Sequence, residues 1–253
     1  MKKTVKNSFL VLSVFACIMF TGCEKFLNVT PPFTQDAENY FQTPADYEMA
    51  LTGAYDLLQS TFMNVWISEI ASDNTIAGGE SVNDTQGLHQ IDNMTHGGVN
   101  NELRNVMRWM YSGITRCNFI MENKDNIDFT GKNKIIAEAK FLRAFYYFEL
   151  VKFFGDIPLV IDQRIGAEEV TQIERAPKAE VYAQIESDLT SAIPDLDLIS
   201  LMKGRASKGA AQSLLGKVYL YQNKFSEAAT TFDEVINSGA YALINDYSQL
   251  FSV

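Results

Sequence analysis

Apolar residues recur at helical spacing along most of the chain after residue 40, and this periodicity constrains the possible folds more than any other feature. Residues that repeat every three to four positions lie on one face of a helix and pack against a neighbour. Proline and glycine mark several ends of these segments, as at Pro44 and Gly155. The spacing predicts helices over 44–60, 101–123, 134–154, 177–192, 208–222 and 225–238. The sequence therefore predicts an all-α protein.

The last two predicted helices carry the pattern of a tetratricopeptide unit. Within residues 209–242, repeat positions 7, 8, 11, 20 and 24 are occupied by Leu215, Gly216, Tyr219, Ala228 and Phe232. The small residues Gly216 and Ala228 let two antiparallel helices approach closely, while Tyr219 and Phe232 fill the adjoining holes. Residues 134–192 look like a second, degenerate unit with an insertion between its helices. We predict tetratricopeptide-like antiparallel helix pairs with long irregular loops; a generic helical hairpin is the alternative.

The N-terminus has the features of a bacterial lipoprotein signal. Three lysines precede an apolar run over residues 9–20, and Thr21-Gly22-Cys23 follows, which resembles a lipobox. We predict that residues 1–22 are a signal peptide, that Cys23 carries lipid, and that residues 23–37 form an extended tether. Ordinary secretion, with Cys23 buried near the cleavage point, is the alternative.

The chain is acidic, with 21 Lys+Arg against 31 Asp+Glu and a net charge of −10. Nucleic-acid binding needs clustered basic residues, so we predict no nucleic-acid partner. Cleavage after residue 22 would remove three lysines and no acids, leaving 18 basic and 31 acidic residues, or −13. Such a chain would not bind anionic lipid by charge, so the acyl chains on Cys23 would hold it to the membrane.

Residues 71–101 differ from the rest of the chain, since they hold five of the fifteen glycines, both histidines and few large apolar residues. A loop of this length is commonly functional or disordered. Short amide and carboxylate side chains suit sugar hydroxyls, and a tryptophan just before the loop could stack on a sugar ring. The candidate ligand-binding residues are Trp66, Asp73, Asn74, Gln90 and Asn93. A core role for Trp66, between two apolar residues, is the alternative.

Groups that could carry catalysis are sparse. His89 and His96 lie seven residues apart without a third ligand at usable spacing, which argues against a zinc site. Cys117 falls on an apolar stripe without a basic neighbour to lower its pKa, as expected of a core residue. Paired acids such as Asp195 and Asp197 lie in predicted surface loops. We therefore predict no catalytic residue, no metal and no cofactor, and we do not expect an enzyme.

Six short motifs are spread along almost the whole chain. Residues 138–150 read Glu-Ala-Lys-Phe-Leu-Arg-Ala-Phe-Tyr-Tyr-Phe-Glu-Leu, and Phe-Gly-Asp-Ile-Pro-Leu-Val follows at 154–160. Gly-Arg-Ala-Ser-Lys at 204–208 leads into Ala210, Ala211 and Leu215. The other pieces are 26–29 with Pro31, the set Tyr111, Ile114 and Asn118, and residues 175–192. In order and spacing these motifs resemble the signature of the SusD/RagB family of nutrient-uptake outer-membrane lipoproteins.

The resemblance implies a lipid-anchored protein on the outside of the outer membrane. In that family the protein acts as a lid on a SusC-like TonB-dependent transporter and captures glycans or, in RagB-like members, peptides. The motifs themselves look structural. Arg143 and Arg205 lie inside packing motifs, and we expect both to form buried ion pairs or to bind carbonyl groups rather than to contact ligand.

The resemblance covers only the N-terminal half of a family member, which suggests a gene fragment or a shortened chain. We expect residues 38–253 to form the N-terminal helical domain, with partial exposure of the apolar faces of the last helix pair. Two function classes stay open besides a non-functional fragment. One is a surface lipoprotein that captures an oligosaccharide or peptide, and the other is a protein-interaction scaffold without a small ligand of its own.

Overall fold

The computed structural model describes residues 40–251, except for residues 82, 162, 167, 170 and 171. The predicted signal peptide, the lipidation site Cys23 and the tether over 23–37 lie outside the described residues. The predicted domain boundary at residue 38 therefore stays a prediction.

Helices dominate the described residues. The α-helices are α1 (Pro44–Asp56), α2 (Phe62–Ile70), α3 (Gln86–Asp92), α4 (Asn101–Glu122), α5 (Lys132–Phe154), α6 (Lys178–Ala192), α7 (Lys208–Tyr221) and α8 (Phe225–Asn237). Short 3-10 helices lie at Leu57–Thr61, Ile193–Asp195 and Tyr247–Phe251. Strands β1 (Ile157–Pro158) and β2 (Arg175–Ala176) pair antiparallel, with Ile157 opposite Ala176 and Pro158 opposite Arg175. The all-α prediction is confirmed.

Local capping fixes where several helices begin. The Asp46 carboxylate accepts from the backbone N–H of Thr43 at 2.7 Å at the start of α1. The Asn100 side chain accepts from two first-turn N–H groups of α4 at 3.0 and 3.1 Å. Ser207 Oγ accepts from Ala210 N–H at 3.2 Å before α7. These side chains satisfy backbone donors that have no partner within the helix.

The helix predicted over 44–60 is interrupted. It ends at Asp56 and continues as the 3-10 helix Leu57–Thr61. Ser60 and Thr61 each donate to the carbonyl three residues earlier at 2.6 Å, a local bond that competes with the α-helical ladder. The next helix, α2, was not predicted, because apolar residues occupy most of its faces and leave no single stripe.

The segment 71–101 is not entirely a loop, which corrects the sequence prediction. Helix α3 lies within it and buries Leu88 and Ile91, which are three residues apart and therefore share one face. This single turn of apolar spacing was too short to stand out from the polar residues around it.

The longer helices that pack side by side run antiparallel to one another. Arg143 contacts Asp188, while Lys140, earlier in α5, contacts Ser191, later in α6. Helices α4 and α5 are also antiparallel, because Asn118 bonds Arg143 whereas Gly113, earlier in α4, packs on Tyr146, later in α5. Helices α1, α4, α5, α6, α7 and α8 thus form the antiparallel array expected of tetratricopeptide-like pairs.

Small residues let the helices of this array approach closely. A Cβ atom on Gly113 of α4 would lie 2.4 Å from the ring of Tyr146 in α5. The Tyr146 hydroxyl donates to the Ala54 carbonyl at 2.7 Å, and this hydrogen bond connects α5 to α1. In the last pair, a Cβ on Gly216 would lie 2.6 Å from the ring of Phe232. The predicted role of Gly216 as a close-approach position agrees with this contact.

The seam between α4, α5 and α6 holds a buried polar network. Arg143 forms two bonds to the Asp188 carboxylate, at 2.8 and 2.7 Å, and a third to Asn118 Oδ1 at 2.9 Å. Both charged side chains are almost fully buried. The expected ion pair of Arg143 is confirmed, and the paired geometry offsets the cost of taking two charges out of water.

Arg205 forms a second ion-pair network before α7. Its guanidinium contacts Glu138 at 3.1 Å and Glu48 at 2.8 Å, and it lies over the ring of Tyr55 at 5.0 Å. The Tyr55 hydroxyl donates to Glu138 at 2.7 Å and accepts from the Ala206 N–H at 2.8 Å. The predicted structural role of Arg205 is therefore confirmed.

No described helix is both long enough and apolar enough to cross a membrane.

Candidate functional site

The structure separates the predicted ligand residues into two groups. Asp73 and Asn74 are exposed, directly after α2, and no hydrogen bond of either side chain is seen among the described residues. Gln90 and Asn93 instead help to hold the segment together. Gln90 Oε1 accepts from Asn100 at 3.0 Å, and Asn93 Nδ2 donates to the carbonyl of His89 at 2.8 Å. Asp73 and Asn74 are therefore the more available for a ligand.

Other polar side chains of this segment are also used to order it. Asp92 accepts from the backbone N–H of Ala77 at 3.1 Å, which joins the start of the segment to α3. Asn100 caps α4 and donates to the Gly87 carbonyl at 2.9 Å, which joins α3 to α4. Hydrogen bonds thus order this segment, and some of its polar side chains are used for these internal contacts.

Trp66 lies on the surface of α2. Its side chain is 44% exposed, whereas Asn64, Ile67 and Ile70 form the buried face of the helix. Asn64 anchors that face by donating to Glu149 of α5 at 2.7 Å. The alternative of a core role for Trp66 is therefore not what the structure shows.

A cleft lined in part by Met63 of α2 contains a second exposed tryptophan that the sequence analysis did not select. The cleft has a volume of about 330 Å³ and is lined by Asp56, Leu57, Gln59, Ser60, Met63 and Trp109. Trp109 is 39% exposed. It was detectable in principle, because it lies off the apolar stripe of α4, where a large aromatic residue has no packing partner to explain it.

Trp66 does not line this cleft, and its position on α2 relates it to the cleft. Met63 lines the cleft, and Trp66 follows it by three residues, a spacing that places two side chains on one helix face. Phe62 and Val65, also on α2, are strongly exposed. We call the surface formed by Trp66, Trp109 and the cleft residues the tryptophan face.

The polar groups of the tryptophan face are few, and its one carboxylate is paired. Gln59 Nε2 donates to Asp56 at 2.8 Å, and Arg116 forms an ion pair with the same carboxylate at 3.2 Å. Arg108 lies 5.8 Å from the centre of the Trp109 ring. An aromatic surface beside amide, hydroxyl and neutralised carboxylate groups suits a neutral molecule that has both a flat apolar side and hydroxyl groups.

The groups considered for catalysis are placed differently. Cys117 is fully buried between helices, and burial raises the pKa of its thiol to about 12. A thiol in this state is a poor nucleophile. Within the described residues no group of three or more His, Cys, Asp or Glu side chains is arranged to hold a metal ion.

A family model and several curated relatives match the chain, and they all belong to one family. The SusD-like family model, described as "starch-binding associating with outer membrane", matches residues 25–220. The SusD-like protein P2 of Formosa agariphila is 30% identical over an alignment of 258 positions, which covers 98% of this chain and 50% of that protein. A SusD-like protein of Bacteroides ovatus is 28% identical over 158 residues, covering 56% of this chain and 28% of that protein. The chain spans about half the length of the curated relatives that it matches over nearly all of its own length.

Solved structures agree in fold. A laminarin-binding SusD-like protein is 32% identical with a TM-score of 0.74, over 83% of this chain and 48% of that one. Surface glycan-binding protein A from Bacteroides thetaiotaomicron, solved in complex with laminarihexaose, is 26% identical with a TM-score of 0.72, over 83% of this chain and 46% of that one. The resemblance found in the sequence motifs and the architecture of the helix pairs thus point to the same family.

Proposed function

The chain belongs to the SusD-like family, and from this premise we propose that it captures oligosaccharides at the cell surface for import through a SusC-like TonB-dependent transporter. The lipid predicted on Cys23 would anchor it to the outer membrane, facing the outside. Its role would be binding rather than catalysis, with no cofactor.

The observation that carries this proposal within the structure is the tryptophan face. One exposed tryptophan, Trp109, lines a cleft whose polar lining consists of Asp56, Gln59 and Ser60. Trp66, also exposed, lies one helical turn after Met63, which lines the same cleft. Stacking of an indole on the apolar side of a sugar ring, with hydrogen bonds from short polar groups at its edge, is a suitable way to hold a neutral glycan. The predicted residues Asp73 and Asn74 follow α2 and could extend the contact.

Laminarin is the first glycan to test, because two structural neighbours are described with laminarin or laminarihexaose. A peptide ligand is the alternative within the same function. The measurement is titration calorimetry of the chain with laminarihexaose and, in parallel, with an unrelated neutral hexasaccharide. Saturable binding of an oligosaccharide supports the proposal, whereas saturable binding of peptides alone would redirect it to the peptide class.

Replacing Trp109 by Ala tests the site. We expect Trp109→Ala to weaken oligosaccharide binding about tenfold, which corresponds to about 1.4 kcal/mol. Phe225→Ala is the matched control, since Phe225 is an exposed aromatic residue on α8, outside the cleft lining. Equal affinities of the native chain and Trp109→Ala would remove the tryptophan face from the proposal.

A second variant separates the cleft from the predicted loop. Asp73→Ala combined with Asn74→Ala should also weaken binding while leaving helicity and melting unchanged, as exposed substitutions usually do. Loss of binding in this variant but not in Trp109→Ala would place the contacts on the loop. Gln90 and Asn93 are less suitable for this test, because their removal would loosen the segment itself.

Anchoring and partnership need tests of their own. Cys23→Ala should abolish acyl labelling and release the chain from the membrane fraction. Isolation of the lipidated protein in mild detergent should recover a large β-barrel protein with it. Retained acyl labelling in Cys23→Ala would contradict the anchor, and absence of the barrel would contradict the transporter partnership.

A protein-interaction scaffold is the second candidate function. It is favoured by the last helix pair, where Leu220, Tyr221, Phe225 and Ile236 are exposed apolar side chains. Tetratricopeptide-like arrays use such faces to stack on further helices or to bind partners. A chain that binds no oligosaccharide or peptide, and loses a barrel partner when Phe225 and Ile236 are made polar, would support this function instead.

A further inference from the structure

A second cleft lies on α4 at the connection between α5 and α6. Its volume is about 420 Å³, within the range of about 300–1,000 Å³ that is usual for small-molecule sites. Its apolar walls are formed by Met107, Tyr111 and Ile114 of α4 and by Val160, Ile165 and Ile173 of the connection. None of these residues lines the cleft of the tryptophan face.

Hydrogen bonds hold the inner wall of this cleft in place. The Tyr111 hydroxyl donates to the Pro158 carbonyl at 2.7 Å, and Asn118 Nδ2 donates to the Val160 carbonyl at 3.1 Å. The Tyr147 hydroxyl also bonds both the N–H and the carbonyl of Val160. The buried network around Arg143 in turn holds Asn118.

The outer wall is fastened at both of its ends. Arg164 lies over the ring of Phe119 at 4.1 Å and forms an ion pair with Glu122 at 2.7 Å. At the other end the β1–β2 pairing holds the chain just after Ile173 against Pro158. The described parts of the two walls are thus held by contacts within the fold before a ligand enters, which reduces the cost of binding.

The charged residues that the structure describes at the rim of this cleft are both basic. Arg104 and Arg108 line the cleft one helical turn apart, and both are exposed. Neither forms a salt bridge among the described residues; Arg104 bonds only the neutral Asn101 side chain there, at 2.8 Å. Among the described residues, those that line this cleft include no aspartate or glutamate. In a chain with a net charge of −10, this is a locally basic rim over an apolar floor.

We propose that this cleft binds a small amphipathic anion, with its apolar body against Ile114, Val160 and Ile173 and its carboxylate on Arg104 and Arg108. Guanidinium groups match a carboxylate in geometry and form stronger hydrogen bonds with it than neutral donors do. A neutral sugar would leave the apolar walls poorly matched. The two clefts share no lining residue, although Arg108 of this cleft also lies beside the Trp109 ring.

A pair of probes with one body and different charge tests this assignment. 2-Naphthoate carries a bicyclic apolar body and a carboxylate, and 2-naphthalenemethanol carries the same body without charge. Calorimetric titration of the full chain should show at least tenfold tighter binding of the naphthoate. Equal affinity for the two probes would overturn the assignment.

Two double variants identify the groups responsible. Arg104→Gln with Arg108→Gln should weaken naphthoate binding about tenfold or more and leave the affinity for the alcohol unchanged. Lys203→Gln with Lys217→Gln removes the same charge from exposed positions outside the cleft and should leave both affinities unchanged. If the two double variants lose naphthoate affinity equally, the effect comes from net charge alone, and the proposal is contradicted.

A filling variant tests the apolar part. Thr115 is exposed and lines the cleft, so Thr115→Phe should weaken the binding of both probes while the circular dichroism spectrum stays native. Unchanged binding of both probes would place them elsewhere. A chain that dimerises in sedimentation, and whose dimer is broken by the arginine double variant, would assign the cleft to a second copy and overturn the small-ligand proposal.

Discussion

The two sides of α4 differ in how much of their chemistry is satisfied within the fold. The inner side buries Gly113, Cys117 and Asn118 against α5. The Asn118 side chain accepts from Arg143 through its oxygen and donates to the Val160 carbonyl through its nitrogen. The outer side exposes Arg108 and Trp109, each at the edge of a cleft. The same helix therefore stabilises the array with one side and offers binding groups with the other.

This difference shows where function can be sought in a helical array. A side chain whose hydrogen-bonding and packing capacity is used internally has little left for a ligand, because a new contact would have to replace an existing one. Arg143 and Arg108 illustrate the contrast, since the first is enclosed by Asp188 and Asn118 whereas the second faces an open cleft.

The largest expected effect comes from breaking the inner network. Arg143→Met removes the partner of a buried carboxylate, so we expect the free energy of unfolding to fall by about 3–5 kcal/mol. Urea denaturation at pH 7, followed by helical circular dichroism, measures this. The loss should exceed that of any single substitution on the outer side of α4.

A companion variant shows whether the buried charge is the cause. Adding Asp188→Leu to Arg143→Met removes the uncompensated carboxylate, so a substantial part of the lost stability should return. If the double variant is less stable than Arg143→Met alone, packing rather than the stranded charge explains the loss.

The next expected effect concerns the close approach of α4 and α5. A Cβ at Gly113 would lie 2.4 Å from the ring of Tyr146, so Gly113→Ala should destabilise the fold by about 1–3 kcal/mol through overpacking. Gly53→Ala in α1 is the control, because no atom lies within 4 Å of its added Cβ. The control should be neutral or stabilise by about 0.5–1 kcal/mol. Similar melting temperatures for the two variants would contradict the close contact.

Much of the inner architecture could be predicted from the sequence. Apolar periodicity located α4, α6, α7 and α8 to within about two residues, because a helix with one buried side must repeat its apolar residues at that spacing. Arg143 and Arg205 were expected to form buried ion pairs or to bind carbonyl groups, because they lie within packing motifs, and both form ion pairs. Helices α2 and α3 were missed, since one is apolar on most faces and the other is only seven residues long.

The outer surface was less predictable, because clefts form between segments distant in sequence. The tryptophan face joins residues near 56–66 to Trp109, and the second cleft joins α4 to Pro158, Val160, Gln163, Ile165 and Ile173. Composition pointed to Trp66, Asp73 and Asn74 as available groups. It could not show that Gln90 and Asn93 bond within their own segment, which depends on the unpredicted turn of α3.

The smallest expected effect comes from an ion pair on the outer side of α4. Arg116 contacts Asp56 at 3.2 Å, but the two side chains are 45% and 56% exposed, in contrast to the buried pair of Arg143 and Asp188. Water and salt screen such a pair, so Arg116→Gln should cost only about 0–1 kcal/mol of unfolding free energy. The difference from the native chain should shrink further in about 1 M salt, where the screening length is only about 3 Å. A loss above about 2 kcal/mol that persists in high salt would mean that the outer side of α4 also stabilises the array, and the contrast between its two sides would no longer hold.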